Sequence, residues 1–376
     1  MSKRNSRIKR STRRDVYDYL RRHSHSTRAD ISTALGLSIP TVSKYLTHLI
    51  ETGLAEQKTK LRPGEDGGRA PAAYASVPDA RIALGVSVTK RHITAVATNL
   101  NGDTVHSVRV RHPYSRTDEH ARYVGKLCSD LVATCDIDPA HLLGIGIAMP
   151  GLVDRASNAV VYGRVIDNEG MTSAHFQRFL DAKATILHDS YAAGLAESWR
   201  WDHLNNAFYI TLSGSVGGAV IFNNEIFTVN GGYPGEIGHL LLVPNGTRCY
   251  CGRYGCMDTV CNTSVLIGDT EDSIEQFFAE LSTNLRFQSR WQSYTDHLAR
   301  AIHSVRALFG GTIILGGEVG TFIGDHLGDV LSKVDQLALF GERAHDYVVP
   351  ARQKNNSVAT GAALSHIQKF LKDPGP

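Results

Sequence analysis

Residues 235–258 read GEIGHLLLVPNGTRCYCGRYGCMD. Within eighteen of them stand one imidazole and three thiols, His239, Cys249, Cys251 and Cys256, spaced H-x9-C-x-C-x4-C. Thiolates and a neutral imidazole are a complete tetrahedral donor set for zinc, and Gly252 and Gly255 let the chain wrap tightly between them. Four protein ligands leave no coordination position for an activated water, so the expected metal is structural: it folds a loop and orients His239. The competing reading is a group of buried free cysteines. Cys261 is expected as a packed neighbour, and Cys128 and Cys135 lie elsewhere. Six cysteines in 376 residues are too few for a disulfide scaffold.

Around this loop, from about Arg81 onward, apolar strand-like runs alternate with helical segments. Ile82 to Val88, Ile93 to Thr98 and Leu143 to Ala148 form one set of strands. Phe208 to Thr211, Ala219 to Phe222 and Thr312 to Leu315 form a second, broken by glycine-rich turns. The pattern predicts an α/β body of two lobes with a ligand cleft between them.

The first eighty residues differ in composition. They carry about fifteen Lys and Arg against about eight Asp and Glu, although the whole chain has a net charge of only +3. A basic head on a near-neutral body suits nucleic acid. Residues 11–53 are expected to form three short helices, the first with Val16 and Leu20 on one face. Thr27 and Asp30 form a capping-box pattern for the second, and Gly36 supplies the turn. Ser38 caps the third, with Pro40 in its first turn. Val42, Leu46, Leu49 and Ile50 are expected to face the core. Thr41, Lys44, Tyr45 and His48 then fall on a polar face suited to a major groove. Leu54 to Lys58 and Ala72 to Ala75 flank a loop containing Pro63, Gly64, Gly67, Gly68 and Arg69. This reads as a wing whose Arg69 reaches phosphate or minor groove, the alternative being a flexible linker.

The stretch 235–239 together with 249–258 resembles the signature of the ROK (repressor, open reading frame, kinase) family. Met149-Pro150-Gly151-Leu152-Val153-Asp154, His188-Asp189, the Gly214 to Gly218 loop, Leu315-Gly316-Gly317 and Thr360-Gly361-Ala362-Ala363 follow the family's order, and the head resembles its repressor branch. The resemblance implies a two-lobed actin-like, ribonuclease-H-like body of sugar-kinase type. It assigns zinc to His239, Cys249, Cys251 and Cys256, and a sugar-type effector to His188, Asp189, Glu236, His239 and Asp258. His239 would serve both, turning its other ring nitrogen to a sugar hydroxyl. Two positions depart from the family pattern: His188 stands where Asn is usual, and Asp258 where Glu is usual. In family kinases the residue matching Asp189 is the general base, and the first phosphate loop resembles D-x-G-G-T. Here that loop is Ser87-Val88-Thr89-Lys90-Arg91, without the carboxylate or either glycine, so no enzyme activity is expected. The second loop, Ser213 to Gly218, fits phosphate or a plain hairpin turn equally well.

The expectation is a winged helix-turn-helix over 1–80 and a ligand-sensing domain with a zinc loop over 81–376. Together they make a sequence-specific transcriptional regulator of carbohydrate metabolism, a repressor, whose effector is a sugar or sugar derivative. DNA contacts are assigned to Ser38, Thr41, Lys44, Tyr45, His48 and Arg69. The expected partner is an inverted-repeat operator in double-stranded DNA, bound by a homodimer or homotetramer. No apolar run follows the basic N-terminus and no stretch has membrane length, which points to the cytoplasm. The alternatives are a sugar kinase with an attached head and an effector-independent DNA-binding protein.

Overall fold

The computed structural model describes residues 3–58, 72–229, 234–268 and 273–374, with side chains from residue 12 onward. Among its described residues the head holds three helices, α1 (Lys3–Arg22), α2 (Arg28–Leu35) and α3 (Ile39–Glu51). A small antiparallel sheet ordered β1-β3-β2 joins β1 (Ser26–Thr27), β2 (Ala55–Lys58) and β3 (Ala73–Ser76). The chain start signals act as the sequence predicts. Thr27 accepts from the Asp30 N–H while the Asp30 carboxylate accepts from the Thr27 N–H, and Gly36 ends α2 at φ +61°. Ser38 accepts from the Thr41 N–H at the start of α3.

Two head expectations need correction. The first helix is not short: it begins at Lys3 and runs for 20 residues. Ile50 does not face the core but is 39% exposed, because Val42, Leu46 and Leu49 already fill the side of α3 against Val16, Tyr17, Leu20 and Ile31. The expected wing tip, with Pro63, Gly64, Gly67, Gly68 and Arg69, lies outside the described residues.

Among the described residues the body has two five-stranded sheets and a two-stranded ribbon. The first is ordered β10-β7-β4-β5-β6 and uses β4 (Ile82–Val88), β5 (His92–Asn99), β6 (Thr104–Arg111), β7 (Leu142–Met149) and β10 (Ala184–His188). β7 runs parallel to both β4 and β10. All seven residues of β4 are buried, as a central strand covered on both faces requires. Its outer face packs on α4 (Asp118–Thr134) and α5 (Ser173–Gln177), and a ribbon of β8 (Leu152–Asp154) and β9 (Ala159–Tyr162) extends beyond β7.

The second sheet is ordered β13-β12-β11-β14-β15. Its strands are β11 (Asn206–Leu212), β12 (Val216–Phe222), β13 (Glu225–Ile226), β14 (Thr312–Gly316) and β15 (Val348–Pro350). It shares a core with α7 (Asp258–Cys261), α8 (Thr263–Ile267), α9 (Ile274–Glu280), α10 (Leu285–Phe309), α11 (Gly317–Ile323) and α12 (Leu327–Asp335).

Two helices fill the seam between the sheets, α6 (Asp189–Trp199) and α13 (Ser357–Leu371). They touch almost backbone to backbone. A Cβ at Gly361 would lie 1.7 Å from the Ala192 carbonyl oxygen, and a Cβ at Gly85 in β4 would lie 1.8 Å from that of Ala359. The head rests on the same seam: Val16, Tyr17 and Leu20 share one apolar core with Leu195 and Ala196 of α6 and Leu364, Ile367 and Leu371 of α13.

His366 of α13 is buried, with Nε2 2.9 Å from Thr185 Oγ1, and burial pushes its pKa down from 6.5 to about 4. Between those values the unfolded chain binds a proton that the folded one refuses, so stability falls as pH drops through that window. Thermal melts of the wild type should lose more between neutral pH and pH about 5 than those of His366→Gln, which has nothing to titrate there. Parallel pH profiles for the two proteins would show that His366 contributes nothing.

Candidate functional site

The sheet ends build a cavity of about 220 Å³. It opens where β7 and β10 finish together, with Met149 opposite His188, and where β11 turns into β12. The carboxyl ends of parallel strands are where an α/β fold leaves a crevice, because backbone and side chains there face no further layer. Four of the five effector residues expected from the sequence line this space: His188, Asp189, Glu236 and His239.

These side chains form a connected polar cluster. His188 Nε2 lies 3.2 Å from Asp189 Oδ1 and 3.8 Å from Glu236 Oε1. Asp189 opens α6, and its Oδ1 accepts from the Ser190 N–H at 2.6 Å. Burial holds the Glu236 carboxyl above its ordinary pKa; His188 opposes that shift and Asp189 adds to it. The cluster can therefore donate and accept hydrogen bonds within one small, partly desolvated space. Tyr162 and Arg164, to which no sequence signal points, also line it, together with Tyr250 and with Ser215 of the Ser213 to Gly218 loop. Tyr250 was legible in part: it sits inside the cysteine cluster, and its ring meets His239 edge-on at 5.1 Å.

Asp258 is the exception. It does not line the cavity; it is 5% exposed, and its Oδ1 accepts from the Val216 N–H at 2.6 Å. The shorter acid at this position ends on the backbone of the β11–β12 turn, and burial raises its pKa.

The donor atoms of His239, Cys249, Cys251 and Cys256 all lie within 4.8 Å of one another and could hold a metal ion. His239 Nδ1 is 3.7 Å from Cys249 Sγ, and Cys251 and Cys256 Sγ are 3.7 Å apart. Glycine makes the wrap possible: Gly255 sits at φ +74°, where a Cβ would lie 1.7 Å from the Val243 carbonyl oxygen. Cys261 is fully buried and outside the cluster.

The stretch matching the first phosphate loop is a closed turn between β4 and β5. Thr89 Oγ1 donates to the His92 carbonyl and accepts from its N–H, both at 3.1 Å, and the Thr89 N–H also goes to His92. The hydroxyl and N–H of Thr89 are thus spent on the turn itself, while the Lys90 and Arg91 carbonyls accept from the Tyr114 and His112 N–H groups.

On the head, Ser38 and Lys44 are exposed and Thr41 is half-buried, its hydroxyl 2.8 Å from that of Ser38. Tyr45 and His48 fall on a flank turned toward the rest of the protein. Tyr45 packs against the apolar core, and His48 Nε2 lies 2.9 Å from Arg13 Nη1 of α1. Thr47, exposed beside Lys44, belongs to the open face and was missed. The displacement has a cause, since Arg13 of α1 meets His48 and the apolar core of the head takes Tyr45.

The ROK family model matches residues 83–369, and a winged helix-turn-helix DNA-binding model matches residues 9–56. The protein is 21% identical over 380 residues to the putative xylose repressor of Caldicellulosiruptor sp. (strain Rt8B.4), covering 94% of each chain. Its similarity to the DNA-binding transcriptional dual regulator NagC of Escherichia coli (strain K12) is 25% identity over 257 residues, 67% of this chain and 62% of NagC. Among solved structures, a ROK family transcriptional regulator homologous to the E. coli MLC protein shares the fold with a TM-score of 0.75 at 20% identity, over 98% of this chain and 97% of that one.

Asp258→Ala should leave the Val216 N–H buried without a partner and destabilise the protein by about 1–3 kcal/mol, whereas Asp258→Asn keeps an acceptor and should cost less. Denaturant unfolding of both variants checks the ranking; equal stabilities would show that this hydrogen bond holds nothing.

Proposed function

The chain belongs to the ROK family, and from that premise we propose that it is a DNA-binding transcriptional regulator of carbohydrate metabolism, a repressor whose effector is a sugar or sugar derivative. One observation carries the reading: a single chain joins a helix-turn-helix head with an open recognition-helix face to a cavity that converges four hydrogen-bonding side chains. Residues 1–80 bind DNA and 81–376 sense the ligand. Ser38, Thr41 and Lys44 enter the groove first, since the N-terminal end of a recognition helix meets the base edges. Arg69 is assigned to phosphate or minor groove. Tyr45 and His48 sit at the flank of the contact and serve the docking of α3 against α1 as much as DNA.

In the cavity, Asp189 and Glu236 accept from vicinal hydroxyls and His188 supplies a ring nitrogen. His239 adds its Nε2, because its Nδ1 faces the thiols. Asp258 takes no direct part; it positions the turn that contributes Ser215 and Val216. The relatives' names carry different sugars, xylose for one repressor and N-acetylglucosamine for another, which supplies two probes for the cavity. Phosphoryl transfer is not part of this reading, because the turn at Ser87, Thr89 and Lys90 offers no glycine-lined cradle for phosphate. A two-fold assembly places two heads on the half-sites of an inverted repeat.

The metal is zinc. Tetrahedral zinc thiolate bonds of about 2.3 Å imply sulfur pairs about 3.8 Å apart, close to the 3.7 Å between Cys251 and Cys256. When bound, the ion cross-links a loop and fixes the ring of His239. Protein purified without added zinc should carry one ion per chain, and Cys251→Ser should lose it. A stable metal-free wild type in elemental analysis would remove this assignment.

Footprinting should reveal protected half-sites spaced by about one DNA turn or a multiple. Lys44→Ala should weaken binding to all sequences and reduce the salt slope by about one. D-xylose or N-acetylglucosamine, as first probes, should raise the melting temperature of the wild type and not of Glu236→Gln. Loss of DNA binding in folded Glu236→Gln would contradict the division of labour. ATP turnover with a hexose, abolished by Asp189→Asn, would replace the regulator by a kinase.

A further inference from the structure

The two ends of α6 lie in different functional regions. Asp189, its first residue, lines the cavity, and Ser190 packs so tightly on the β11–β12 turn that a Cβ at Gly217 would lie 2.1 Å from its Oγ. Trp199, its last residue, stands about 15 Å further along the axis. There the indole lies against the head: the Arg21 guanidinium carbon of α1 sits 5.0 Å from the ring centroid. The indole N–H donates to the Asn101 carbonyl at 2.8 Å, and a Cβ at Gly102 would come within 2.4 Å of that nitrogen.

Between its ends α6 has no freedom to bend or slide alone. Ala192 meets Gly361 backbone to backbone, and a Cβ at Gly194 would lie 2.5 Å from Ala219 Cβ. Near the C-terminal end, the fully buried Glu197 carboxylate accepts from the Arg352 and Gln353 N–H groups and from the Trp201 indole. Leu195 and Ala196 share a core with Val16, Tyr17 and Leu20 of α1. α1 is gripped a second time by α13, since Asp373, just beyond that helix, pairs with Arg13, which also reaches His48 of α3.

We infer that α6 is a rigid strut that reports the state of the cavity to the DNA-binding head, with Trp199 against Arg21 as the contact that transmits it. A close-packed helix moves as a unit, so a ligand that draws on Asp189 must shift Trp199 and with it the seat of α1. The ligand has only to bind one seating better than the other. The inference rests on the effector reading of the cavity but is testable without an effector.

Amide hydrogen exchange of the full-length protein provides the test. Asp189→Asn should change exchange in residues 13–22 of α1 by about fivefold or more, and the change should shrink to within about twofold when Arg21→Ala is also present. Reciprocity demands that Arg21→Ala alone alter exchange at the start of α6, so either variant is informative if the other fails to fold. An α1 that ignores Asp189→Asn, an equal response with and without Arg21, or an α6 that ignores Arg21→Ala would each overturn the strut. Thermal shifts with D-xylose and N-acetylglucosamine on the same proteins separate the two readings. Coupling without sugar binding upholds the strut and sinks the effector assignment; sugar binding without coupling sinks the strut.

Discussion

The contact of Gly361 on the carbonyl of Ala192 is the constraint from which the architecture follows. Neither lobe covers the inner face of its own sheet. α13 lies on the first sheet and α6 on the second, and each helix must bury its remaining side against the other. Ala192, Ala193, Gly194 and Ala196 on one helix and Gly361, Ala362 and Ala363 on the other leave room for backbone only. Larger side chains would spread the sheets, and with them the cavity walls, since β7 and β10 supply one wall and the β11–β12 turn the other. Interiors this dense do not deform continuously; they shift between discrete packings.

A second dependence links the metal loop to the cavity through one residue. Asp258 follows Cys256 by two positions, and its carboxylate holds the Val216 N–H. The loop that gathers three thiols therefore also fixes the turn bearing Ser215 and Val216, while His239 belongs to both the donor cluster and the cavity lining. Folding of the loop and shape of the site are one problem. Half-buried Glu236 beside His188 and Asp189 gathers acceptors and a ring nitrogen in one partly desolvated space, an arrangement that suits a polyhydroxy ligand.

Much of this was legible in the chain. The capping box at Thr27 and Asp30, the left-handed Gly36 and the cap at Ser38 are local signals, decided within four residues, and the strand cores are continuous apolar runs. The donor cluster could be read because its spacing is short. What escaped was set by contacts distant in sequence. The contact of Arg13 with His48, thirty-five residues apart, and the packing of Tyr45 on the core turn that flank of α3 inward and leave Lys44 and Thr47 exposed. Asp258 stood in the right motif, yet its direction is fixed by a turn forty-two residues away. Tyr162 and Arg164 come to the cavity on a ribbon whose position no periodicity announces. The Arg21 and Trp199 contact joins residues that have meaning only once the head is docked.

The glycine-rich turn between β11 and β12 shows how a phosphate-like motif can persist for reasons of packing. Gly217 has Ser190 Oγ within 2.1 Å of a would-be Cβ, and Gly218 has the Gly235 carbonyl oxygen within 2.8 Å. Both glycines are required by the approach of α6 and of the segment leading to Glu236, whatever the turn binds. At the first loop Thr89 and Lys90 stand in place of glycine, and both are exposed. Packing therefore accounts for Gly217 and Gly218 but not for Gly214 in the same β11–β12 turn, where an added Cβ would meet nothing within 4 Å.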